Sequence, residues 1–408
     1  MTGFFSKRIQ PPLLKHTYGS HIEQYRGLCA LLVLITHGTA HENLLINNFR
    51  WPEFLHYIGA GYLSVLVFFC ISGYVIGISN DHIQLKIKPY LKKRFIRLYP
   101  AYLIAVLLCV IIANDVNIFV LAGNLIFLQN ASPYWHYQIP VFVNFATWSL
   151  NYEVLYYALF IPLFFIRPKV WQLLLIMFLF SIILINTTPN FVFIIQYLNG
   201  YYFWILGLFF GWKIFNANKV IANQIPLLSM LFMQLCQQHL GIGVIVLHLL
   251  KLDSNTNFNW LFDIPFCLMI MGILTNTNNA FFKINKIFCY IIPSVVFLYL
   301  ILQHRIFENE RWTMCLIFWI GALLFYNEKK ISALILHQLT TVGKISYSLY
   351  LLHVPIALLI KKIVFISNPT MEITVKYVLW VAVTFSLAFL LDEIFQPAIK
   401  KYFSNQLG

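Results

Sequence analysis

The sequence predicts an all-α fold, a polytopic integral-membrane helical bundle of ten to twelve transmembrane helices. Three observations carry that prediction. Of the 408 residues, 60% are hydrophobic and 10% charged, with a mean hydropathy of +0.75, whereas a soluble domain is about half apolar and about a quarter charged. Apolar runs recur from Arg26 to the C-terminus with short polar breaks, and about 20 residues of that kind cross about 30 Å of hydrocarbon. The cations are shared unequally between alternate connections, the pattern that sets topology in a membrane. A soluble enzyme is excluded, and the formal charge of +14 reads as topology and not as a nucleic-acid footprint.

Residues 1–20 hold Pro11, Pro12 and His16 with no apolar core before a small-residue cleavage site, so they read as a cytosolic tail and not a secretory signal. Lys7, Arg8 and Lys15 place that tail inside. Spans are expected over 22–40, 54–79, 98–113, 142–166, 170–186 and 192–212, then 224–250, 259–275, 287–304, 312–327, 345–364 and 374–395. Alternating from the inside leaves 21 of the 28 Lys and Arg in cytosolic segments. Residues 21–396 form one transmembrane domain and 397–408 a cytosolic tail. The lower limit of ten allows for Gln234, Gln237, Gln238 and His239 in the centre of 224–250 and for 119–131, which is too short to cross. The seven cysteines lie in apolar segments without CxxC spacing, which argues against a disulfide framework and against a metal centre.

Ionisable groups at membrane depth are costly and are the first candidates for function. Arg26 and His37 in the first span lie eleven residues apart, three turns plus about 20°, hence on one face and about 16 Å apart along the axis. Arg26 belongs near the cytosolic mouth and His37 well inside. Lys86, Lys88, Lys92, Lys93, Arg94 and Arg97 precede the third span on the cytosolic side. They can anchor topology, but Arg94 and Arg97, at i and i+3, also offer two guanidinium forks to a phosphate-bearing donor. Glu153 follows Thr147–Tyr152 at the outer entrance of the fourth span with no Lys or Arg near it in sequence, so it needs a partner across the bundle. Ser346, Tyr350 and His353 share one helical face.

In this order the features resemble the acyltransferase-3 family of bacterial membrane acyltransferases, which modify carbohydrates of the cell envelope. Arg26 with His37 matches the family's arginine, ten residues, histidine signature; Phe68–Tyr74 is similar to its FFxxSGF/Y stretch; Arg94 to Arg97 matches RxxR; Trp148-Ser149-Leu150 with Glu153 is similar to WSLxxE; Ser346 to His353 matches SYxxYLxH. Glu393-Ile394-Phe395-Gln396-Pro397 is a looser version of the terminal E-x-P. The match implies the stand-alone type, without an SGNH-hydrolase-like domain.

The resemblance implies transfer of an acyl group, acetyl in the first instance, from cytosolic acyl-CoA to a hydroxyl of an envelope carbohydrate or lipid-linked sugar. Acyl-CoA (acetyl-CoA) is then a donor substrate, and no bound cofactor is expected. The implied location is the bacterial inner membrane. His37 would be the general base or the nucleophile carrying the acyl group, with Glu153 orienting or deprotonating it where the fold joins them. Arg26, Arg94, Arg97, Ser346, Tyr350 and His353 would bind substrate. The competing reading is a carrier or flippase for a lipid-linked sugar; no repeated halves support it. Acceptor identity, acyl length and oligomeric state stay open.

Overall fold

The computed structural model describes residues 11–40, 43–47, 49–80, 85–130, 139–187, 192–213, 225–249, 251, 256–277 and 279–405. The elements in order are α1 (Pro11–Gly38), α2 (Glu53–His56), α3 (Gly61–Asn80), α4 (Ile87–Ile112), α5 (Ile118–Leu125), α6 (Trp148–Ile166), α7 (Val170–Thr187), α8 (Val192–Lys213) and α9 (Leu227–Leu240). They continue with α10 (Ile242–Leu249), α11 (Ile264–Leu274), α12 (Ala280–Leu302), α13 (Glu310–Leu324), α14 (Lys330–Lys344), α15 (Ser346–Ile363) and α16 (Pro369–Phe389). A π-helical turn, Leu390–Phe395, joins α16 to α17 (Gln396–Asn405). No β-strand occurs among the described residues, so the all-α expectation holds.

Six helical stretches among the described residues are long and apolar enough to cross a bilayer: Glu53–Asn80, Ile87–Ile112, Phe145–Ile166, Ala280–Leu302, Ser346–Ile363 and Pro369–Phe403. The chain is therefore a multi-pass membrane protein. The further expected segments are realised differently. Within the expected span 224–250, the described residues 225–249 form two short helices, broken where Gly241 takes a φ of +67°. The helix α1 begins at Pro11, inside the segment read as a tail, whose first ten residues lie outside those described. Between 327 and 345, read as a connection, the chain forms α14.

Helix starts follow local chemistry. Asn117, Asn279, Asn309 and Asn368 each accept a backbone N–H from the first turn of α5, α12, α13 and α16, the satisfaction an N-cap provides. In a bilayer, small residues allow the close helix contact that apolar burial alone does not drive. A Cβ on Gly343 would lie 1.9 Å from the Glu23 carbonyl oxygen, so the absence of a side chain there lets α14 lie directly on α1. On α3 a Cβ at Gly73 would lie 1.9 Å from the Trp204 carbonyl oxygen of α8. The first of these crossings brings the start of α15 to Arg26.

Candidate active site

Five helices, α1, α3, α4, α6 and α15, converge on one cavity of about 70 Å³, whose polar lining includes Arg26, Ser72, Arg97, Glu153, Ser346 and Tyr350. Arg26 on α1 donates from Nη2 to Ser346 Oγ at 2.9 Å, and Ser346 in turn donates to the Gly343 carbonyl at 2.7 Å. Glu153 on α6 is met from α3 by the Ser72 hydroxyl, donating to Oε1 at 2.9 Å, and from its own helix by the Tyr157 hydroxyl. Trp204 Nε1 on α8 donates to Ser72 Oγ at 3.4 Å. The carboxylate is thus held by neutral donors, and the arginines open on the same cavity. Two guanidiniums on the lining offer charged hydrogen-bond donors to an anionic ligand group.

Arg94 does not line this cavity. Its guanidinium lies 5.5 Å from the ring centres of both Tyr90 and Tyr157, and its Nε has no hydrogen-bond partner among the described residues. The i, i+3 pair is therefore divided. Arg97 faces the cavity and Arg94 stacks behind Tyr157, the residue that holds Glu153.

His37 occupies a second position further along α1. Its Nδ1 is 2.7 Å from Nε2 of His353 on α15; the ring centres are 5.0 Å apart and the planes differ by 6°. That combination is the signature of two rings bonded edge to edge in a shared plane, since face-to-face stacking would not bring two nitrogens to bonding distance along the centre-to-centre line. In the tautomer with the His353 proton on Nδ1, its Nε2 is the acceptor. His37 then donates from Nδ1, and its Nε2 keeps a lone pair that no described residue takes up. His353 itself is 1% exposed and is fixed by Trp380, whose Nε1 donates to its carbonyl at 2.7 Å.

Tyr350 stands between the two positions. Its single proton goes to the Ala146 carbonyl, so Ser149 Oγ donates to the Tyr350 oxygen, at 2.8 Å. Its ring centre lies 6.1 Å from Phe68 and 6.0 Å from His353.

The expected pairing of Glu153 with His37 is not found. Among the described residues His37 is bonded to His353, and Glu153 sits with Arg26 and Arg97. Nor does Glu153 lie on the opposite side of the bundle from Arg97. The reason is the path of the chain ahead of α6. Residues 139–147 run inward as irregular backbone and a short 3₁₀ turn, Phe145–Thr147, and Phe145 already touches His37, ring centres 5.1 Å apart. That backbone is sealed by protein: Asn124 Nδ2 donates to Pro140, Gln129 Nε2 to Thr147 and Asn144 Nδ2 to Leu351. Irregular backbone at membrane depth is tolerated under that condition. The helix α6 accordingly starts inside the bundle, and its second turn reaches the arginines.

Sequence reasoning also passes over Tyr157, Trp204 and Ser149 as site residues. Tyr157 is accessible in principle, four residues after Glu153 on one helix face; Trp204 carries no such signal. All seven cysteines are free and buried.

A family model described as an acyltransferase domain matches residues 21–392. No curated protein and no solved structure matches the chain.

Proposed function

The chain belongs to the acyltransferase-3 family, and from that premise we propose that it transfers a short acyl group, acetyl in the first instance, from a cytosolic acyl-CoA to a hydroxyl of an envelope carbohydrate at a bacterial inner membrane. The observation that carries the reading is His37, oriented through Nδ1 by His353 and left with a free Nε2. This is the arrangement of a general base held by a third group. Nε2 takes the proton of the acceptor hydroxyl as its oxygen attacks the thioester carbonyl. The C–S bond breaks, and the departing thiolate recovers that proton to leave as the free thiol.

Arg26 and Arg97 supply charge for the donor's phosphates. They lie eleven residues of α1 from His37 in the case of Arg26, about 16 Å of helix rise, a separation that a phosphopantetheine arm can bridge. Tyr350 is the side chain such an arm would have to pass. At the far end of α1, Tyr377 OH and Trp51 Nε1 both donate to the Gly38 carbonyl, and Trp51 and Tyr377 meet edge to face at 5.2 Å. Aromatic faces beside the base, on the side away from the arginines, suit a sugar ring. The test is incorporation of labelled acetyl from acetyl-CoA into envelope glycan by cells making the wild type or His37→Ala. Label in the first and none in the second supports the reading; equal label in both removes His37 from the chemistry, and none in either favours a carrier.

A further inference from the structure

The π-helical turn at Leu390–Phe395 lies outside the residues that line the arginine cavity, yet two side chains on it and just after it reach two of the helices that carry the cavity's polar groups, α15 and α4. Asp392 Oδ2 accepts the backbone N–H of Ser348 at 3.0 Å. Ser348 is in the first turn of α15, where N–H groups lack an intrahelical acceptor, and α15 has no side-chain cap of its own at Ile345. Asp392 is therefore the cap, supplied by another helix. It fixes the turn that begins with Ser346, the hydrogen-bond partner of Arg26, and its charge acts on both Arg26 and Arg97.

Gln396 makes the second connection. It is 7% exposed, and its Nε2 donates to the Ile96 carbonyl at 2.6 Å and to the Arg97 carbonyl at 3.2 Å. The helix α4 contains Pro100, and a proline offers no N–H to the carbonyl four residues earlier. That carbonyl is Ile96. Gln396 thus satisfies the one acceptor that the α4 sequence itself orphans, and in doing so ties the backbone of Arg97 to the C-terminal turn. A π turn holds one extra residue and so rotates the helix face presented by the residues beyond it. Here Asp392 faces α15 and Gln396 is buried against α4, while Glu393, the acid of the loosely matching terminal motif, is exposed.

We propose that Asp392 and Gln396 are positioning residues for the donor site, the π turn acting as a clamp that sets Arg26–Ser346 and Arg97 at their working separation. The proposal rests on the donor reading of those arginines. The test is the apparent KM for acetyl-CoA, with acceptor saturating, for full-length Gln396→Ala, Asp392→Ala, Asp392→Asn and Arg97→Ala in membranes, each also run on size exclusion in detergent. Expected results are a rise of about tenfold in donor KM for Gln396→Ala and Asp392→Ala, a smaller rise for Asp392→Asn, whose amide oxygen still caps Ser348, and an acceptor KM unchanged within about twofold.

Pro100→Ala gives the second handle. It returns an N–H to the Ile96 carbonyl, so adding Gln396→Ala in that background should cost markedly less than it does in the wild type, a non-additivity that neighbours sharing one bond show. Donor KM at the wild-type value in well-folded Gln396→Ala and Asp392→Ala, with Arg97→Ala raised, overturns the clamp alone. A wild-type donor KM in Arg97→Ala overturns the donor reading instead. If Gln396→Ala fails to fold, the Pro100→Ala pair decides: an undiminished loss there overturns the proposal.

Discussion

His37 and His353 form a pair in which each ring has a separate task, and substitutions should separate them. His37→Ala removes the base and is expected to lower kcat by about 100-fold or more, within the range general acid-base catalysis contributes, at normal protein yield. His353→Ala leaves the base but frees its ring; kcat should fall while donor and acceptor KM stay within about twofold, because His353 acts through His37 Nδ1. Equal activity of His353→Ala and wild type would show the ring pair to be packing only. Arg97→Ala should weaken donor binding by about 1.5 to 3 kcal/mol, the usual worth of a hydrogen bond to a charged group, which is about 10- to 150-fold in apparent affinity, with Lys a partial substitute. Arg94→Ala should cost the donor less, since Arg94 stacks on Tyr90 and Tyr157 and does not line the cavity. A larger donor defect for Arg94→Ala than for Arg97→Ala would reverse that assignment.

Among the elements, the crossing of α1 and α14 carries the most consequence for the site. A Cβ at Gly343 would collide with Glu23 backbone, and backbone cannot yield as a flexible side chain does. Gly343→Ala should therefore destabilise the protein by about 1 to 3 kcal/mol, the range for overpacking, seen as a lower detergent-phase melting temperature. It should also raise donor KM, because the displaced α14–α15 junction carries Ser346 away from Arg26. An unchanged melting temperature would mean that α14 is free to slide along α1. The same geometry explains why the segment 327–345 does not stand out in the sequence as a helix next to the site. Its apolar side is narrow, with Ser332, Leu336, Leu339 and Gly343 buried and Lys330, Lys344 and His337 exposed, so it reads as a polar connection until α1 is set against it.

For the molecule as a whole, the arrangement requires the Arg26 end and the Gly38 end of α1 to face opposite compartments. Arg50, beyond Gly38, and Lys93, on the arginine side, are both accessible. Single cysteines at these two positions should be labelled by a membrane-impermeant thiol reagent from opposite sides, Arg50→Cys in intact spheroplasts and Lys93→Cys only after lysis. The native cysteines are all buried and need not be removed. Labelling of both from one side would rule out transfer across the bundle.

Composition, the length of the apolar runs and the spacing of the cations were enough to establish a helical multi-pass protein, because a bilayer accepts few other ways of satisfying its backbone. The facing of Arg26 and His37 along one helix, and of Ser346, Tyr350 and His353 along another, also followed from sequence, since helical periodicity fixes direction within an element. Which of these groups meet did not follow. That His37 bonds to His353 and that Glu153 sits with the arginines depend on the depth at which α6 begins, which residues 139–147 set by bonds to Asn124, Gln129 and Leu351. Asp392 and Gln396 reach their partners only through a π turn, 44 residues from Ser348 and 300 from Ile96 along the chain. Local periodicity carries no information about contacts at such separations; they are decided by how helices cross, and here the crossings are fixed by backbone approaching backbone at glycine.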